Sequence, residues 1–446
     1  MGPKGAGDPD LNSARSKGVL PRTRRRIDAL WQNRPVNQSI PAPSATAAED
    51  DLLHRSGPLK AALVAFGKSQ RFAREFRSAY ADRFATVEPS NQVDYINFLD
   101  RFVLEHRTRD GRTIVEQFVA SRPDLPEAER AVLLDWAKVV EGIFEVERHD
   151  GDTAIMVNLV DELTYRVRSN LGPQLLKQLV PETIVWARVV PFGNDWLMSG
   201  ALNSAPPEGR REMCRAAAEL ANTCPAAVFR NPAKLALGWE LHRRLRGHFV
   251  EFFGADLAVV TGHELADRMA GFWNYHATRI SAGQSRAPGE TTSSKNRDAP
   301  DEEQPPPVPQ MSMSSDLEHA ETVGIMFDEV EGLWFLPEYR LVRDVFADPA
   351  LIAGPRYRDA VSGYLKSHSI PPIALRRLAE QDPNQTSRVF ARLLGKPRFT
   401  WQRDGDALLR RYKAGFFDRT PLPGVTPLSN RQRAFLRPRR DAEGPG

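Results

Sequence analysis

The chain has 446 residues, enough for about two to four domains of ordinary size. Hydrophobic residues make up 41% and charged residues 26%, which is ordinary globular usage, so most of the chain can bury a core. The formal net charge of +4 does not by itself indicate a nucleic-acid partner, because phosphate affinity comes from clustered charge. Only two cysteines are present, Cys214 and Cys224, which excludes a disulfide scaffold and favours a reduced, cytoplasmic location.

The sequence carries no recognisable export signal or membrane span. Arg24-Arg25-Arg26 resembles the start of a twin-arginine signal, but no apolar stretch follows it. The longest apolar runs, such as residues 61–66, are far shorter than the roughly 20 residues that cross a bilayer. We therefore expect no membrane partner.

The N-terminal part is predicted to be a disordered basic tail followed by helices. Residues 1–47 are rich in Pro, Ser, Gly and Arg and lack apolar periodicity. Residues 48–142 form a predicted helical segment that becomes regular at Pro58. Its first apolar stripe recurs at helical spacings and comprises Leu59, Leu63, Phe66, Ala73, Phe76 and Tyr80.

Residues 143–206 are predicted to form a small β-module. Apolar and polar residues alternate from Phe144 to Glu147, and the sequence His149-Asp150-Gly151-Asp152 is typical of a hairpin turn. Five short strands within about 60 residues predict an antiparallel SH3-like or OB-like barrel. We expect Glu145 and Glu147 to form cross-strand ion pairs with Arg166 and Arg168.

The second half is predicted to be helical, with one interruption. Residues 207–280 form a helical segment, and 281–313 form a disordered linker rich in Pro and Ser. Residues 314–428 form a mixed, mostly helical domain that opens with a hairpin, and 429–446 form a second basic tail. The predicted fold class is therefore α+β, mainly α-helical, with an embedded five-strand module.

No motif in the sequence predicts a catalytic residue, a cofactor or a metal site. Gly67-Lys68-Ser69 ends like a phosphate-binding loop, but it lies in a helix and Ala62 stands where the first glycine is needed. The two Asp-Gly-Asp stretches that begin at Asp150 and Asp404 lack the further oxygen ligands of a calcium loop. The histidines are not spaced as metal ligands.

Clustered arginines are the remaining candidates for contact with a partner. They lie in both tails and in one helix, where they would meet phosphates or acidic side chains. The predicted partner-binding residues are Arg24, Arg25, Arg26, Arg243, Arg244, Arg437, Arg439 and Arg440.

Part of the chain resembles a segment of uncharacterised bacterial proteins. The resemblance rests on Phe102-Val103-Leu104-Glu105, on residues 110–118 and on Val185-Trp186-Ala187-Arg188, and it extends over about 91–206. Some of those proteins also carry a SEC-C-type zinc motif of the kind found at the end of the secretion ATPase. This chain has no such motif. The resemblance implies no activity and no site residue.

The sequence is therefore interpreted as that of a non-enzymatic intracellular interaction protein. In this hypothesis the helical body presents the β-module to a macromolecule, with RNA or ribonucleoprotein as the first candidate. One alternative is a hydrolase whose site is assembled from residues distant in sequence. Another is a protein-only adaptor in which the linker tethers two binding modules.

Overall fold

A computed structural model describes residues 47–85, 92–284 and 314–436, which form two compact units. The larger unit comprises 47–85, 92–247, 327–333 and 415–436 of the described chain. The smaller unit comprises 248–284, 314–326 and 334–414. All but the last residue of the predicted tail at 1–47, and most of the predicted linker at 281–313, lie outside the described residues.

In the described part of the chain, five α-helices precede the sheet of the larger unit. They are α1 (Ala47–Gly67), α2 (Ala73–Arg83), α3 (Gln92–Glu105), α4 (Ile114–Ser121) and α5 (Glu127–Asp135). Helix α3 lies within the predicted helical segment at 48–142. The expectation that the first helix becomes regular only at Pro58 is wrong, because α1 continues through this residue. The missing N–H of a proline normally weakens a helix. Here the Ser56 hydroxyl donates to the Leu53 carbonyl at 2.6 Å and satisfies a neighbouring acceptor.

The five predicted strands are confirmed, and their pairing closes on itself. They are β1 (Val140–Asp150), β2 (Thr153–Asn158), β3 (Thr164–Arg168), β4 (Ile184–Phe192) and β5 (Asp195–Ser204). The order is β1-β2-β3-β5-β4, and β4 also pairs with β1. The expectation of a wholly antiparallel module is wrong, because β3 and β5 run parallel. These two strands are separated by α6 (Gln174–Lys177) and β4, so their ladder joins residues that no hairpin connects.

The inner face of this sheet is the core that its alternating residues predict. Every second residue of β1 from Val140 to Val146 points inward, and β4 contributes Val185, Ala187 and Val189. Tyr165 and Trp196 meet edge to face inside it, with ring centroids 5.0 Å apart. Both aromatic side chains are buried in this core.

Within the described residues, two longer helices and two short ones complete the larger unit or lead out of it. They are α7 (Arg210–Thr223), α8 (Pro225–Val228), α9 (Pro232–Phe253) and, at the end of the described chain, α17 (Asn430–Leu436). The start of the predicted basic tail is thus helical and packed. Gln432 of α17 donates to the carbonyls of Leu159 and Val160 at 2.9 and 3.0 Å. Arg431 pairs with Glu145 on the outer face of β1.

The rest of the chain forms a three-stranded sheet and helices. The strands are β6 (Leu257–Val260), β7 (Val323–Asp328) and β8 (Gly332–Pro337). The helices are α10 (Gly262–Gln284), α11 (Ser315–Glu318), α12 (Tyr339–Ala347), α13 (Pro355–Lys366), α14 (Pro372–Gln381), α15 (Pro383–Leu394) and α16 (Trp401–Phe417). The predicted hairpin is confirmed as β7 and β8, and the mostly helical stretch after it contains α12 to α16. Strand β6 is too short to show an alternation of apolar and polar residues in the sequence.

Within the ranges that the structure describes, none of the helices has the length and apolar character needed to cross a membrane.

Candidate functional site

A row of polar side chains crosses the outer face of the five-stranded sheet. The strand register places Arg188 of β4 opposite Glu141 of β1 on one side and opposite Ser199 of β5 on the other. Alternation turns all three away from the inner core, because their neighbours Gly142, Ala187 and Met198 face inward or line it. The row therefore faces the helices that pack on this side.

Arg188 meets three acids, of which α3 supplies Asp100 and Glu105 and β1 supplies Glu141. Its guanidinium donates to Asp100 at 2.7 Å and to Glu141 at 2.5 Å, and it also donates to Glu105. The Arg188 side chain is 1% exposed and that of Asp100 is 2% exposed. A planar guanidinium can serve three carboxylates at once because its five donors point in fixed, divergent directions.

Helix α1 adds a second cation to the same cluster. The Lys60 ammonium lies 2.5 Å from Asp100 Oδ1 and donates to Ser199 Oγ at 3.0 Å. Ser199 in turn donates to Asp100 at 2.7 Å. The Lys60 ammonium also lies 5.3 Å from the centre of the Trp136 ring, a cation–π contact. With the pair between Arg101 and Glu141, the cluster holds three cations and three carboxylates.

The pKa shifts make Asp100 and Glu141 poor bases, whereas burial outweighs the nearby cations at Glu105 and raises the pKa of that carboxyl. Burial alone would raise the pKa of Asp100, but the charges of Lys60 and Arg188 outweigh it and hold this pKa well below its usual range. The pKa of Glu141 falls to about 2 for the same reason, with Arg101 and Arg188 outweighing burial. Burial lowers the pKa of Lys60, and the attraction of Asp100 opposes that shift.

A cleft of about 720 Å³ lies beside this cluster, inside the larger unit. Its walls come from α1, from α3, from the loop after β3 and from the adjoining ends of β4 and β5. Lys60, Asp100 and Ser199 form one polar part of the wall, and Val190, Leu197 and Met198 form an apolar part. Pockets for small molecules usually have this size and this mixture of apolar walls with a few polar groups.

One face of α1 lines the cleft, and apart from two lysines its side chains are small. The residues that line it recur at helical spacings and are Gly57, Lys60, Ala61, Val64, Ala65 and, just past the helix end, Lys68. Ala61 and Ala65 are exposed, so this face is not covered by another part of the described chain. The opposite wall carries Leu171, which is 79% exposed, and Ile96, which is 36% exposed.

Two of the predicted arginines lie in the described residues, and neither of them lines the cleft. Arg243 and Arg244 lie side by side on the exposed face of α9, and Arg244 pairs with Glu240 at 2.8 Å. The other predicted partner-binding residues are Arg24, Arg25, Arg26, Arg437, Arg439 and Arg440, and all of them lie outside the described residues.

The predicted ion pairs between Glu145 or Glu147 and Arg166 or Arg168 are wrong. Strand β2 lies between β1 and β3, so these residues are not cross-strand neighbours. Instead, Arg166 bridges Asp150 and Asp195, which belong to two different hairpins. The remaining pairs join Arg168 to Asp50, Glu145 to Arg210 and Arg431, and Glu147 to Arg148.

Gly67 and the acidic turns have structural partners. A Cβ at Gly67 would lie 2.7 Å from Cγ1 of Val103, so the glycine permits α1 to pack closely on α3. Asp152 pairs with Lys177, and Asp404 pairs with Arg403.

In the described ranges, no group of three or more His, Cys, Asp or Glu side chains is placed to hold a metal ion. Cys214 and Cys224 are buried and free of disulfides, as expected.

Sequence reasoning missed the charge cluster and the cleft beside it. The available signal was Arg188 itself, a single charge in the apolar run Ile184–Val190. Asp100 gave a second signal, because it lies between Phe98 and Phe102 on the apolar side of α3. A charge inside an apolar stripe is either paired or functional.

Comparison with known proteins adds no relative: no family model, no curated protein and no solved structure matches this chain.

Proposed function

We propose that this protein is a non-enzymatic binding protein and that the cleft between α1, α3 and the sheet is its binding site. The observation that carries the proposal is that an exposed face of small residues on α1 and the exposed Leu171 line the same cleft. Large exposed apolar groups around a concavity are typical of sites that an apolar ligand or side chain fills.

The polar groups of the cleft support binding rather than catalysis. Asp100 is a weak base, because Lys60 and Arg188 hold its pKa low. The Ser199 hydroxyl donates a hydrogen bond to Asp100, so its proton does not point towards Lys60. A serine nucleophile needs a neutral base within reach. The Lys60 nitrogen instead lies 2.5 Å from the Asp100 carboxylate, which favours the charged ammonium and opposes the lowering of its pKa by burial.

The five-stranded sheet is best interpreted as an OB-like module. Pairing of β3 with β5 is a Greek-key feature and supports the OB-like alternative over the SH3-like one. OB modules bind oligonucleotides on strands two and three and on the neighbouring loops. Here that face offers less to phosphates, because Arg166 is shared by Asp150 and Asp195. The cleft therefore carries the proposal, and contact with RNA is the weaker candidate.

The test is a fluorescence titration of the full-length chain with N-phenyl-1-naphthylamine, a neutral apolar probe that brightens when it leaves water. The Ala65→Trp variant places an indole in the cleft from an exposed helical position. The matched control is Ala81→Trp, at an exposed position of α2 that does not line the cleft. We expect Ala65→Trp to weaken probe binding at least about tenfold and Ala81→Trp to leave it unchanged.

Equal probe binding in both variants would contradict the proposal. Covalent labelling of Ser199 by a fluorophosphonate reagent would favour the hydrolase alternative instead, because only an activated serine reacts with it. Binding of single-stranded RNA that weakens steeply with salt and is indifferent to Ala65→Trp would favour the nucleic-acid alternative.

A further inference from the structure

We infer that the ligand of the cleft is an anionic amphiphile, with an apolar body along α1 and an acid group at Lys68. This inference rests on the proposed binding function and adds the chemical class of the ligand. Three ionisable side chains line the cleft, namely Lys60, Lys68 and Asp100, so its formal charge is +1.

The carboxylate of Asp100 already has three partners within the protein. It receives Lys60 at 2.5 Å, Arg188 at 2.7 Å and the Ser199 hydroxyl at 2.7 Å. A carboxylate offers about four acceptor positions, and these three contacts leave little for a cationic ligand. The cleft therefore disfavours amines and guanidines.

Lys68 is the cation of the cleft that is available to a ligand. It is exposed, and within the described ranges its ammonium has no hydrogen-bond or ion-pair partner. An ammonium group offers three donors, so an acid group at this point would gain charge-assisted hydrogen bonds. Lys60 differs, because its charge is balanced by Asp100.

The spacing along α1 fits a molecule with a polar head and an apolar body. The helix advances about 10 Å between Lys60 and its end at Gly67, at roughly 1.5 Å per residue. Val64, Ala61 and Ala65 line this stretch, and Val190 and Leu197 line the same cleft. A headgroup at the exposed Lys68 keeps contact with water while the body loses it, which is how amphiphiles gain binding energy.

The test compares sodium decanoate with 1-decanol, which has the same chain length and no charge. Each competes with the naphthylamine probe at low ionic strength and neutral pH, below the critical micelle concentration. The variants are Lys68→Met and, as a matched control, Lys138→Met, an exposed lysine that does not line the cleft.

We expect the wild type to bind decanoate about tenfold more tightly than 1-decanol, a preference that Lys68→Met abolishes and Lys138→Met preserves. Binding of 1-decanol should change less than about twofold in either variant, because it does not use the charge. If decanoate and 1-decanol bind the wild type equally while Ala65→Trp still blocks the probe, the acid group is wrong and the binding function stands. If the probe does not bind the wild type, both fail.

Discussion

Replacing Arg188 by methionine should destabilise the larger unit more than any surface charge can. The substitution keeps an unbranched side chain of similar length but leaves Asp100, Glu105 and Glu141 without their shared cation. Because Arg188 and Asp100 are 1% and 2% exposed, water cannot replace the lost donor without opening the structure. Removing one partner of such a buried pair typically costs about 3 to 5 kcal/mol.

Arg166→Met is the matched control on the same sheet. Arg166 also bridges two acids, Asp150 and Asp195, each at 3.0 Å, but its side chain is 48% exposed. Solvent screens such a pair, so its loss should cost less than about 1 kcal/mol. The two variants therefore separate the effect of burial from the number of ion pairs.

The assay is native-state hydrogen exchange, read by mass spectrometry on peptides that cover β4 and β5. Exchange reports the opening free energy of this region directly, which matters because a chain of two units need not unfold in one step. Urea unfolding followed by circular dichroism gives a second value. If Arg188→Met and Arg166→Met differ by less than about 1 kcal/mol, the cluster does not fasten the sheet to α3 and the reasoning fails.

The stability difference between the wild type and Arg188→Met should also depend on pH, in a direction that the pKa shifts give. In the wild type the pKa of Glu141 is depressed to about 2 from 4.5, so its contribution is complete above about pH 4.5 and is lost as pH falls towards 2. In Arg188→Met the carboxylates of Asp100, Glu105 and Glu141 stay buried but lose Arg188. Their pKa values therefore rise relative to the wild type, and ionising them lowers the stability of the folded state. The deficit of the variant should therefore be largest at neutral pH and shrink as the pH falls.

Two further predictions concern the larger unit. Burial raises the pKa of Asp161 to about 6 from 3.8, so its ionisation lowers stability as the pH rises through that window. Asp161→Asn should thus gain on the order of 3 kcal/mol relative to the wild type between pH 4 and pH 7, measured by urea unfolding, and a constant difference would contradict the shift. Thr113→Ala removes the capping box that Thr113 forms with Glu116 and should cost about 1 kcal/mol, seen as faster exchange in α4 but not in α5.

Local periodicity predicted most of the elements in this fold. The helices from 232 onward and the five strands follow from apolar spacing, because burial of one face imposes that spacing on the sequence. The parallel pairing of β3 with β5 could not be predicted in this way. It depends on which strands meet after β4 has crossed the module, and no local pattern records that.

The candidate site was less accessible to sequence reasoning than the fold. Lys60, Asp100 and Ser199 are separated by 40 and 99 residues and meet only when α1 and α3 pack on β5. Lys60 and Ser199 alone fit an ordinary amphipathic helix and strand, and only Asp100 stands out, as a charge on the apolar side of α3. The error in the partners of Glu145 has the same origin, because Arg210 and Arg431 reach it from helices far along the chain.

The central claim is that the cleft beside α1 binds an apolar ligand, and an exchange footprint tests it most directly. Hydrogen exchange of the full-length chain would be measured with and without saturating N-phenyl-1-naphthylamine. We predict slower exchange in peptides covering 57–68 and 96–105, with little change in β2 and β3. Protection confined to β2 and β3, or to the smaller unit, would contradict the account.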